Sequence, residues 1–117
     1  MNSVKPWGIG IFDTEEAVVI RAIFNRFVSQ GHQPAESADH TVETFFHALE
    51  AESETGDMWV ALAALLFDAG VAKHHLYGSL LTIDPEVNAA RWEGSENGER
   101  SDILLSLVAR VELRATL

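Results

Sequence analysis

The chain contains no cysteine. That absence excludes a disulfide scaffold, a thiolate zinc site, an iron–sulfur cluster and a cysteine nucleophile. It suits a reducing cytoplasm, the expected location. Long apolar runs are also missing: the strongest, Met58 to Phe67, is about half the roughly 20 residues a membrane span requires. The opening residues carry Asp13, Glu15 and Glu16 early and fit neither the basic start nor the apolar run of a secretory leader, so no export signal is expected.

Positive charge is scarce. Eight Lys and Arg face eighteen Asp and Glu, a formal net charge of -10. Such a chain repels nucleic acid phosphates and anionic lipid and attracts a basic protein at long range. The bland reading, that this charge serves solubility alone, stands beside it. What is present in quantity is apolar: 47% of the 117 residues are hydrophobic, enough for one continuous core and one domain over 1–117.

The pattern along the chain is helical, and the expected fold is an all-α bundle of five to six helices. Residues 1–12 form an arm in which Trp7, Ile9, Ile11 and Phe12 surround Gly8 and Gly10. A first helix is expected over 14–30, capped by Asp13 with Glu16 three residues on and closed by Gly31, burying Ala17, Ile20, Phe24, Phe27 and Val28. Val18-Val19-Ile20 is the one β-rich triplet, where a strand competes. A second helix starts near Ser37 or Asp39 and turns Val42, Phe45, Phe46 and Leu49 inward.

Met58 to Ala69 is apolar around nearly its whole circumference and marks the central helix, with Asp57 as its cap and Gly70 at its end. Trp59 is placed in this core, and Trp59→Ala is expected to cost about 3 to 5 kcal/mol. Val71 to Thr82 reads as a further helix, and Asp84-Pro85 opens a short one through Ala90 or Trp92. Glu93 to Gly98 reads as a solvated loop. The last helix is expected from Glu99 to Leu113, with Leu104, Leu107, Val108 and Val111 on one stripe.

Few constellations could carry chemistry. His40, Glu43 and His47 share one helix face at spacings of three and four and could hold a metal, but ordinary surface residues are the commoner outcome, and no metal or cofactor is expected. His74 and His75, adjacent on an expected helix, diverge by about 100° and do not readily meet at one ligand. No Gly-x-Ser-x-Gly elbow is present, and Gly8 and Gly10 lack the preceding strand and third glycine of a dinucleotide loop. No catalytic residue is assigned and an enzyme is not expected.

Carboxylates are densest in two runs, Glu50, Glu52, Glu54 and Asp57, then Glu93, Glu96, Glu99 and Asp102. Solvated faces are the ordinary reading of both. With a basic partner, these residues are the expected docking sites, together with the neighbouring Trp92, for which a core anchor is the commoner reading.

Three segments carry a resemblance: Trp7-Gly8-x-Gly10-x-Phe12-Asp13, Trp59-Val60-Ala61-Leu62-Ala63, and Ile83-Asp84 with Ala90-Arg91-Trp92-Glu93. Together they resemble a family of small bacterial proteins of unknown function that open with W-G-x-G-x-F-[DE] and continue with a W-x-A-L-A helix. The similarity spans most of the chain, but Gln30 to Ser53 departs from the pattern. The resemblance implies a fold and a bacterial or phage origin and carries over no catalytic residue. The expected function is a small acidic inhibitor, of the immunity type, that binds a basic toxin or effector. The alternative is a structural or regulatory helical module acting as a homo-oligomer.

Overall fold

The computed structural model describes residues 10–45 and 56–116, and among them every regular element is a helix. In chain order these are α1 (Glu15–Ser29), α2 (Pro34–Thr44), α3 (Asp57–Asp68), α4 (Tyr77–Leu81), α5 (Pro85–Ala89) and α6 (Ser95–Thr116). The β-rich Val18-Val19-Ile20 lies within α1. Tertiary packing of one apolar face has overridden the local preference of β-branched residues.

α3 is the hub. It packs on α1, α2, α4 and α6, and Val60, Ala61, Leu62, Ala63 and Leu66 are completely withdrawn from solvent. The alanines let α1 approach closely, so Ala17, Ile20 and Phe24 complete the same core with Leu104, Leu107 and Val111 of α6. Ile11 and Phe12, the described end of the arm, pack against it. Trp59 is only half-buried, although it packs against this core.

Several boundaries differ from expectation for local reasons. Thr14, not Asp13, caps α1, its hydroxyl accepting the Ala17 amide at 3.2 Å. Asp13 is diverted to the Gly10 amide at 2.8 Å. Proline is favourable at the first helical position, and α2 starts there with Pro34, ahead of the expected Ser37 or Asp39. Gly56, with φ of +69°, precedes α3; a left-handed residue at that point favours glycine, and a Cβ there would lie 2.4 Å from Ile83.

The expected helix over 71–82 contracts to α4, and residues 71–74 carry no regular structure. Gly70, with φ of +85°, turns the chain away from α3. The Tyr77 hydroxyl then donates to the Val71 carbonyl at 2.6 Å and pins the segment back on itself. α6 begins earlier than expected and takes in Ser95 to Gly98. Phe46, His47 and Leu49 lie outside the described residues, as do Trp7, Gly8, Ile9, Glu50, Glu52 and Glu54.

Candidate functional site

Three features outside the apolar core concentrate chemistry: a buried ionic cluster, a histidine corner and the outer face of α6. The first grows from a charged residue on an apolar stripe. Arg100 stands four residues before Leu104 and seven before Leu107, so helical spacing aims all three at the interior. Its side chain is fully buried and meets Asp57, itself only 1% exposed, at the start of α3.

The cluster is densely satisfied. Asp57 Oδ1 accepts from Asn88 Nδ2 at 2.8 Å, Arg91 Nη2 at 2.8 Å and Arg100 Nη2 at 3.2 Å, while Oδ2 accepts from Arg91 Nη1 at 2.6 Å. Arg100 also donates through Nε to Asn88 Oδ1 at 3.0 Å and through Nη1 to the Gly10 carbonyl at 2.8 Å. Both guanidinium groups lie over the Trp92 ring, 4.9 Å from its centroid for Arg91 and 4.6 Å for Arg100. Cations gain from the negative face of an indole.

Burial pulls the Arg100 guanidinium below its usual value, Asp57 and Asp13 favour its charged form, and Arg91 opposes it. An arginine remains protonated in any case. The Asp57 carboxylate is thus withdrawn from solvent and held by two guanidinium groups and one amide. Its role is to tie α3, α5, α6 and the arm into one unit.

Compared with protein-family models, with curated proteins and with solved structures, the chain gave no match in any of the three.

The predicted docking residues therefore divide. Glu93, Glu96, Glu99 and Asp102 are exposed, at the start of α6 or just before it. Asp57 and Trp92 are buried and committed to the ionic cluster, so neither presents itself to a partner. Glu50, Glu52 and Glu54 lie outside the described residues. Sequence reasoning missed Arg100 and Asn88; the visible signal was Arg100 in register with the apolar stripe of α6.

The histidine corner lies where α2 faces the segment after α3. His74 Nε2 stands 3.5 Å and His75 Nε2 3.1 Å from Asp39 Oδ1. The two histidines converge because their segment is irregular, which overturns their expected divergence on a helix. His74 is largely buried, and this holds its imidazole below the ordinary value near 6.5; Asp39 acts in the opposite direction, and His75 adds to the lowering. On the other side of α2, His40 lies 3.9 Å from Glu43, and its ring sits 4.8 Å from that of His32 and 5.2 Å from Phe27. With His47 outside the described residues, the third member of the predicted His40, Glu43 and His47 set has no described position.

The last feature is a charge separation. Arg21 lies over the Phe12 ring, Arg91 and Arg100 serve Asp57, and Arg110 and Arg114 lie over Phe67. Arg114 also donates to the Phe67 carbonyl at the end of α3, where a cation opposes the negative end of the helix dipole. Arg91, Arg100 and Arg114 turn onto internal partners and Arg21, Arg26 and Arg110 stay exposed, while Glu99, Asp102 and Glu112 of α6 face outward beside Leu105, which is 52% exposed.

Among the described residues no helix is long and apolar enough to cross a membrane.

Proposed function

We propose that the chain is a non-enzymatic binding protein that docks a basic protein on the outer face of α6. The observation that supports it most is the charge on the outer side of α6: Glu96, Glu99, Asp102 and Glu112 stand exposed there with Arg110, so carboxylates outnumber cations around an apolar centre. Glu93, Glu96, Glu99 and Asp102 make the charged part, and Leu105 and the exposed Ala109 make the apolar part. An acidic rim around an apolar contact favours fast, salt-sensitive capture of a positively charged partner, with the apolar centre supplying affinity that salt does not remove.

A small acidic chain of this kind suits an inhibitor of the immunity type, which occupies a basic toxin or effector and blocks it in the cytoplasm. Self-association through the same face would set Glu99, Asp102 and Glu112 against their own copies, which costs energy through like-charge repulsion.

The test is capture of partners from the native host on the tagged protein, with the product of the adjacent gene co-expressed, then identification and rebinding as purified components. The reading expects a basic protein in a one-to-one complex that is weakened by salt and lost in a Glu99→Lys, Asp102→Lys variant. A partner whose binding ignores both changes, or a concentration-dependent homo-oligomer through α6, would overturn it.

A further inference from the structure

We propose that Asp39, His74 and His75 form a binding site for a divalent transition-metal ion that clips α2 to the segment between α3 and α4. The three side chains offer one carboxylate oxygen and two imidazole nitrogens, and their ligand atoms all lie within 4.8 Å of one another. A tetrahedral zinc with bonds near 2.0 to 2.2 Å places its ligand atoms about 3.4 Å apart. The separations from Asp39 Oδ1, 3.1 Å to His75 Nε2 and 3.5 Å to His74 Nε2, lie near that value, and the exposed His75 and Asp39 side chains can close the remaining edge, since all three ligand atoms lie within 4.8 Å of one another. Two imidazoles and one carboxylate are a donor set suited to zinc, nickel, copper or cobalt rather than magnesium or calcium.

The backbone is built to present these rings. Gly70 turns the chain out of α3, Tyr77 anchors Val71, and the amides of Tyr77 and Gly78 donate to the carbonyls of His74 and His75, each at 3.1 Å. The imidazole rings consequently lie side by side, 4.4 Å apart with a tilt of 34°. The His74 side chain is 8% exposed and held in place, whereas Asp39 at 50% and His75 at 64% stand open to solvent. One fixed ligand and two that can adjust would leave the outer side of the ion to water.

Loading the site has a local consequence. The Leu76 amide donates to His74 Nδ1 at 3.1 Å, which keeps the proton of the neutral ring on Nε2, where the Ala35 carbonyl and Asp39 compete for it. A metal bound through Nε2 requires that proton on Nδ1, moved there through solvent, and the Leu76 amide then loses its acceptor. This exchange opposes binding and holds the affinity below that of a site with its tautomer already set.

The test uses the full chain, stripped with chelator and titrated at neutral pH with zinc by calorimetry and with cobalt by visible absorption, while amide spectra follow Leu76. One equivalent is expected, with a shifted Leu76 amide, and Asp39→Asn and His75→Ala are each expected to weaken binding roughly tenfold or more. His40→Ala, at the other histidine cluster, is expected to leave the affinity within twofold. Binding that survives Asp39→Asn and His75→Ala, or depends on His40 instead, would overturn the site. So would the absence of a stoichiometric complex. None of these readouts involves the α6 face, so the metal site stands or falls independently of the proposed protein partner.

Discussion

Asp57 and Arg100, 43 positions apart in the chain, meet at 3.2 Å with both side chains withdrawn from solvent. A buried pair of this kind adds little net stability compared with well-packed apolar residues, but removal of one member strands the other charge. Asp57→Ala is therefore expected to cost about 3 to 5 kcal/mol, because it leaves two guanidinium groups against each other. Arg91→Ala should cost less, since the Arg91 side chain is 25% exposed and Asp57 keeps Arg100 and Asn88. Urea melts of the two variants check the order.

Core substitutions should rank by position on α3. Leu62 is fully buried, and Leu62→Ala is expected to cost about 2 to 5 kcal/mol. Trp59 is half-buried, so Trp59→Ala should cost less than Leu62→Ala, despite the larger side chain removed. Urea midpoints measured at equal m-value decide this.

Ser37 makes an inverse prediction. Its hydroxyl is buried and has no hydrogen-bond partner among the described residues. An unsatisfied buried hydroxyl costs about 1 to 3 kcal/mol, so Ser37→Ala should leave stability unchanged or raise it, by thermal melt.

The histidine corner sets a pH dependence in chelator-treated protein. His74 has a folded-state value lowered from near 6.5, burial being the largest cause, so below that pH the unfolded chain binds its proton first. Stability present above about pH 6.5 is then lost as pH falls towards the lowered value. Denaturation midpoints at pH 7.5 and 5.5 should differ less in His74→Gln than in the wild type. Asp39→Asn should widen the difference, because Asp39 raises the His74 value.

These predictions rest on features that were unevenly legible in the sequence. The helices and the central place of α3 were readable because apolar residues recur at helical spacing and Met58 to Phe67 is apolar all round. Asp57 was misread as a surface carboxylate because a charge at a helix start is ordinarily a cap in water. Its burial depends on Arg91 and Arg100, and no local pattern reveals that three such distant residues converge. Trp92 as a docking residue fails for the same reason, and its burial fits the commoner reading of a core anchor: it is covered by two guanidinium groups, one from beyond the next turn. His74 and His75 converge only because the chain leaves its helical pattern after Gly70, a break that the apolar residues Leu76, Leu80 and Leu81 concealed.

The most direct test of the proposed docking face is the association rate of the purified partner with wild-type protein and with the Glu99→Lys, Asp102→Lys variant across a series of salt concentrations. The account predicts a wild-type rate that falls steeply with ionic strength, and a variant rate that is slower at low salt and nearly flat. Equal rates and equal salt slopes for the two proteins would contradict it.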